Sequence, residues 1–210
     1  LRVAALSSFF GFLERRYAEI KNPFRGTRAR PGQTWSAAVV PTQDEISTII
    51  AHSVPEVAAA VAVLAETGLR VGALVTLKIR PDGSFETVSK GKFFQSFEPL
   101  SEAVRTQIEK ADLSSFQPFR VAIVSDQVDV SKTESRAVAK LATKISRQCK
   151  ALYAAGLVSA SFSPHDFRHA FAEANASKGL IWLRDRLNHA SISVTEFYLR
   201  RSLGRNTSAM

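Results

Sequence analysis

The sequence predicts a mainly α-helical protein with one small antiparallel β-hairpin sheet. Three observations carry that expectation. Apolar residues recur at three- and four-residue spacings along much of the chain. Proline, glycine and Ser/Thr caps cut this pattern into segments of helical length. The pattern changes after Ile79, where two short extended runs flank Lys90-Gly91-Lys92.

Residues 1–20 place Leu6, Phe9, Phe10, Leu13 and Tyr17 at helical intervals, and Pro23 ends that helix. The stretch 24–33, with Arg25, Arg28 and Arg30 among Gly26, Gly32 and Pro31, reads as a basic extended linker. It suits a phosphate backbone and equally suits a solvated connection. Thr42 with Glu45 three residues on forms a capping box that opens a helix through Ile50. Pro55 opens a second helix, almost wholly apolar and hence a core element, which stops at Gly68. Arg70 then stands before a short apolar helix over 71–78. A guanidinium between two apolar helices is costly unless it is paired, or unless it snorkels from a helix end.

Pro81-Asp82-Gly83 is a turn, and FETVS with FFQSFEPL make the hairpin, whose tip is rich in lysine. Ser101 caps the next helix, through Asp112. RVAIV, residues 120–124, reads as a possible strand with no function assigned. A long helix over 131–155 buries Val138, Leu141, Ile145, Cys149 and Leu152. It carries Lys132, Arg136, Lys140, Lys144 and Arg147 as a basic stripe, which suits either phosphates or solvent. Gly156 ends it.

The composition narrows the function classes. A net charge of +9 and a pI near 10.1 point first to a polyanion such as nucleic acid. With Cys149 as the one cysteine, neither an internal disulfide nor a multi-cysteine zinc site is possible, and its apolar face makes it a packing residue. No run approaches the length of a membrane span, and no GxxxxGK[ST] or GxGxxG motif supports nucleotide binding. The one methionine is Met210, the last residue, so the sequence is expected to be a fragment lacking N-terminal material.

Chemistry concentrates in residues 163–198, SPHDFRHAFAEANASKGLIWLRDRLNHASISVTEFY, which hold three of the four histidines. His165, Arg168 and His169 lie at i, i+3 and i+4, on one face of a helix. Two histidines at i and i+4 invite a metal, but Arg168 between them places a cation where a metal would be repelled, so no metal is expected. His169 is assigned to structure, and Trp182 and Leu183 to the core beneath the helix that presents His189. Tyr198 follows His189 by nine residues.

Arg70, Lys90, His165, Arg168, His189 and Tyr198 occur in that order, in the words TGLR, SKG, HDFRHAF and LNHASISVTEFY. In this the chain resembles the tyrosine recombinases, the phage-integrase family, over residues 42–200. The resemblance implies their catalytic fold over residues 31–210, with residues 1–30 as the last helix of a core-binding domain plus its linker. It implies a site-specific recombinase that cleaves and rejoins DNA through a covalent 3′-phosphotyrosine, without cofactor or metal. Double-stranded DNA would be the partner and a homotetramer on DNA the active assembly, with monomers in solution compatible with it. The setting would be the cytoplasm of a bacterium, encoded there or by a phage or mobile element.

The residue types fit that chemistry. Attack on a phosphodiester builds charge on the non-bridging oxygens, and Arg70 and Arg168 offer forks of donors that suit phosphate. Tyr198 would be the nucleophile, and its phenol, with an ordinary pKa of about 10, needs a base, for which His165 is the candidate. The departing 5′-oxygen needs a proton, and the resemblance assigns its delivery to Lys90, with Lys92 the alternative. His189 would donate a hydrogen bond to a phosphate oxygen. Arg25, Arg28, Arg30, Lys92, Lys132, Arg136, Lys140 and Lys144 are the candidate DNA contacts. One departure stands out: the family's usual acidic residue three after the first arginine is here Ala73. That departure motivates a second reading, a DNA-binding module of this fold with weak or no catalysis. A third is an enzyme that relaxes supercoils or resolves hairpin ends through the same tyrosine.

Overall fold

The computed structural model describes residues 2–17, 19–24, 39–89, 92–96, 98–112, 130–189 and 191–203. The side chains of 2–5, 89, 92–95, 130–134, 197, 198 and 200–203 are outside that description. Residues 25–38, which include the basic linker, and 113–129, which include RVAIV, lie outside the described residues as well. The chain divides into two compact units, residues 1–36 and 37–210.

In the first unit, α1 (Arg2–Arg16) is followed by a return through Phe24. Asn22 makes that return, its amide donating to the Ser7 carbonyl at 3.0 Å while its side-chain oxygen accepts from the Phe24 N–H at 2.9 Å. Phe10 packs between Phe9 and Phe24, whereas Leu6, Phe9 and Tyr17 are exposed.

The second unit is built around the helix that begins at Pro55. α2 (Gln43–His52) opens on Thr42, whose hydroxyl accepts from the Glu45 N–H while the Glu45 carboxylate accepts from the Thr42 N–H. α3 (Pro55–Thr67) starts at a proline and has alanine and valine on every side, so it can only be stable when wrapped. Ala59, Ala60, Val61, Val63 and Leu64 have no exposed surface. α2, α5 (Glu102–Lys110), α6 (Val130–Ala154) and α7 (Pro164–Ala174) pack around it. α6 buries Ala137, Leu141, Ile145, Cys149 and Leu152, the face expected from its periodicity with Val138 only half-buried. Burial pushes the Cys149 thiol up to about 11, so it stays protonated and acts as a small apolar group.

Between α3 and α5 lies α4 (Val71–Val75), then an antiparallel sheet in the order β1 (Lys78–Ile79), β2 (Phe85–Ser89), β3 (Lys92–Ser96). Thr87 opposes Phe94 and Ser89 opposes Lys92. The expected helix over 71–78 ends early, because Lys78 and Ile79 are drawn into pairing with Glu86 and Phe85. α8 (Leu180–Arg186) and α9 (Ile192–Leu203) close the chain, both resting on a small core of Phe171, Ala172, Leu183 and Leu187. No helix among the described residues is long and apolar enough to cross a membrane.

Candidate active site

Gly68 fixes the geometry of the first site segment. It caps α3 in the left-handed region at φ 65°, and its N–H donates to the Leu64 carbonyl at 3.0 Å. A Cβ there would fall 2.4 Å from Phe171 Cδ1 and 2.9 Å from Leu187 Cδ2, so only glycine fits. Two residues later Arg70, half-buried, stands at the N-cap of α4.

The second segment is α7. Ser163 caps it, with both its N–H (2.7 Å) and its hydroxyl (2.8 Å) donating to Asp166, and Pro164 occupies the first turn. His165, Arg168 and His169 do share a face, but they sit at different depths. His165 is exposed, while Arg168 and His169 are buried. The His169 ring meets His165 edge-on at 5.0 Å, the packing role expected of it. Among the described residues there is no group of three or more His, Cys, Asp or Glu placed to hold a metal.

Arg168 is only 2 % exposed and reaches in two directions. One terminal nitrogen donates to the Gly68 carbonyl at 2.6 Å and the other to the Leu187 carbonyl at 2.5 Å. The guanidinium therefore ties the turn before Arg70 to the turn before His189.

His189 follows α8 after Asn188, which takes φ 50° to make the turn, and its N–H donates to the Arg184 carbonyl at 2.9 Å. The imidazole is 8 % exposed, and its Nδ1 is 2.9 Å from Oγ1 of Thr195, a wholly buried residue of α9. Burial first, then the positive charges of Arg168, Arg70 and His165, push the His189 pKa down to about 4. Three of the expected residues, Arg70, His165 and Arg168, thus act on a fourth, His189. Burial and these charges together favour the neutral form of His189.

Tyr198 lies on α9, three residues after Thr195, with its side chain outside the described residues. Lys90 falls outside them altogether, and Lys92 opens β3 with its side chain undescribed. The hairpin that carries both is braced from two sides. Thr87 Oγ1 donates to the Ala73 carbonyl at 2.6 Å and lies 2.8 Å from Thr76 Oγ1, which in turn accepts from the Val88 N–H at 3.1 Å. At the far end Arg186 of α8 donates to Ser96 Oγ at 2.7 Å, pairs with Glu98 at 3.5 Å and lies over the Phe85 ring. Ala73, where the family's acidic residue is expected, is completely buried against this brace.

The sequence reading did not single out Thr76, Thr87, Arg186 or Thr195. Thr195 carried a usable signal, since its spacing of three from Tyr198 puts both on one face of a helix. Of the basic stripe on α6, Arg136, Lys140 and Arg147 are exposed, whereas Lys144 is paired with Glu56. Lys132 has its side chain outside the described residues, and Arg25, Arg28 and Arg30 lie outside them entirely.

The comparisons with known proteins bear on this arrangement. The sequence model of the phage integrase family matches residues 40–204. XerA recombinase is similar in structure, with a TM-score of 0.51 and 23% identity over 97% of this chain and 74% of that one. A lambda integrase fragment, seen as a dimer bound to a COC′ core site, has a TM-score of 0.55 and 18% identity over 97% of this chain and 72% of that one. The integrase from mycobacterium phage Brujita has a TM-score of 0.53 and 20% identity, covering 96% and 68% respectively. No curated protein sequence matches the chain significantly. These likenesses show a shared fold, mainly α with a small antiparallel sheet, and the sequence match extends over most of the second unit. The chain belongs to the phage integrase family.

Proposed function

We propose that this chain is the catalytic part of a site-specific DNA recombinase that cuts and rejoins strands through Tyr198. The observation that carries the reading is the field of Arg70 and Arg168 beside the buried His189: the Arg168 guanidinium ties the turn before Arg70 to the turn before His189, in a chain of this family. A phosphodiester is the group that such a field would hold. Arg70 and Arg168 take the non-bridging oxygens, and His189 donates one further hydrogen bond. His165, the exposed member, receives the phenol proton as Tyr198 Oη attacks phosphorus. The P–O5′ bond breaks, Lys90 or Lys92 protonates the leaving oxygen, and a 3′-phosphotyrosine forms. Attack by a 5′-hydroxyl from a second strand reverses these steps and seals the new junction, so no external energy source is needed.

The rest of the reading follows from the same likeness. Residues 1–30 serve as the end of a core-binding domain and its basic linker, and the exposed Arg136 and Lys140 of α6 meet the phosphate backbone. A lambda integrase tetramer has been seen on a Holliday junction, and a homotetramer on DNA is the corresponding assembly for this chain, in the cytoplasm of a bacterial host.

The decisive measurement uses a nicked suicide substrate built from the DNA flanking the encoding element. The wild-type chain should form a covalent adduct, and Tyr198→Phe should bind the same DNA without forming one. An adduct that survives in Tyr198→Phe would sink the assignment. Ala73, buried where the family's acid stands, favours a second reading as a DNA-binding module with weak catalysis. Binding without cleavage by the complete protein, on its own site and with its partners, would establish that reading instead.

A further inference from the structure

We propose that Thr195 is a positioning residue for His189: its hydroxyl donates to Nδ1, holds the proton on Nε2 and ties the ring to the helix that carries Tyr198. The inference rests on the phosphodiester chemistry proposed above and adds a residue and a protonation state to it. The Oγ1–Nδ1 distance is 2.9 Å, and both residues are buried, so water does not compete for the contact. The backbone of His189 is already held by Asn188 and by the bond to Arg184, which leaves ring rotation as the freedom to be removed. The Thr195 hydroxyl removes it.

The direction of the bond follows from the chemistry of the ring. A neutral imidazole has one donor and one acceptor, and burial, with the neighbouring arginines, favours the neutral form of His189. A threonine hydroxyl can take either role, so the demand on the other nitrogen decides. A lone pair on Nε2 would repel a phosphate oxygen held between Arg70 and Arg168, whereas an N–H there stabilises it. Nδ1 must then be the acceptor and Thr195 the donor. Because Thr195 is three residues from Tyr198 on α9, the same bond fixes the nucleophile's helix relative to the ring.

The experiment uses the full chain labelled with nitrogen-15 in histidine, with His189→Gln to assign the signals. Wild type should show a protonated Nε2 and a bare Nδ1 at neutral pH, and Thr195→Ser should keep that pattern. Thr195→Val, which has nearly the same shape, should give a mixture of tautomers. On the suicide substrate Thr195→Val should form adduct roughly ten-fold more slowly, the kinetic equivalent of one hydrogen bond. Its affinity for DNA should be unchanged, and Thr195→Ser should restore the rate. A proton on Nδ1 in wild type overturns the proposal, whether or not the valine variant folds. A Thr195→Val variant with wild-type ring signals, or one that loses DNA affinity in step with rate, also overturns it. If wild type forms no adduct at all, the recombinase reading fails, and the ring signals still decide the role of Thr195.

Discussion

Arg168→Lys should destabilise the protein even in the absence of DNA. The guanidinium is nearly wholly buried and donates to two carbonyls, Gly68 at 2.6 Å and Leu187 at 2.5 Å. A hydrogen bond from a charged donor contributes about 1.5–3 kcal/mol, and a buried acceptor left without a partner adds its own desolvation cost. Lysine keeps the charge but is a compact point donor on a flexible stem, so it can serve one of these diverging carbonyls at a time. The expected loss is therefore about 2–4 kcal/mol. For a chain of this size that corresponds to a fall in Tm of about 5–15 °C. The assay is thermal and urea unfolding of the DNA-free protein, wild type against Arg168→Lys, followed by circular dichroism. If Arg168 served the phosphate alone, removing its fork would leave the apo protein untouched. A Tm unchanged within about 1 °C would refute the claim that it also ties the fold together.

Gly68→Ala should be worse tolerated than its size suggests, losing about 2–5 kcal/mol, because it combines a left-handed φ with a Cβ 2.4 Å from Phe171; soluble expression and urea midpoints test it. Thr87→Val preserves shape but removes the 2.6 Å bond to the Ala73 carbonyl, which keeps the 3.3 Å bond from Thr76, and unmakes the Thr87–Thr76 contact, so it should lower stability by about 0.5–1.5 kcal/mol in the same unfolding assays. The His189 pKa is depressed from its ordinary value near 6.5 to about 4, so between those values the unfolded chain binds a proton that the folded chain refuses. Its contribution to stability is thus fully present above pH 6.5 and is lost as pH falls towards 4, by about 3 kcal/mol at most. Urea stability measured across that range should show the loss in wild type and its reduction in His189→Gln.

Where the sequence was legible, the signal was local. Thr42 with Glu45, Pro55 with Gly68, and Ser101 each satisfy or break backbone hydrogen bonds within a turn, so their meaning does not depend on the rest of the chain. β1 was missed because its two residues carry no periodicity, and only pairing with Phe85 and Glu86 makes them a strand. The candidate site divides in the same way. The common face of His165, Arg168 and His169 could be read from spacing, but their graded burial could not, because depth is set by α3 and α8 packing from elsewhere in the chain. The Thr76–Thr87 brace and the Arg186–Ser96 contact join residues 11 and 90 positions apart, and hydroxyls of that kind leave no mark on a hydropathy pattern.

The long-range bonds of Arg168 have a consequence for how this site should be probed. They span 100 residues to Gly68 and 19 to Leu187, so they form only when α3, α7 and α8 have already come together. Arg70 lies two residues beyond the first of these carbonyls and His189 two beyond the second, so closing the fold and assembling the proposed anion site are one event. A cation is uncomfortable in such a place, and the carbonyl oxygens offset its burial before any DNA arrives. On the proposed function, the site would thereby be organised in advance of its substrate, as electrostatic catalysis requires. The same coupling means that loss of activity on replacing Arg168 cannot be assigned to phosphate contact alone. Substitutions at Thr195 or Tyr198, which leave that buried staple intact, separate chemistry from folding more cleanly.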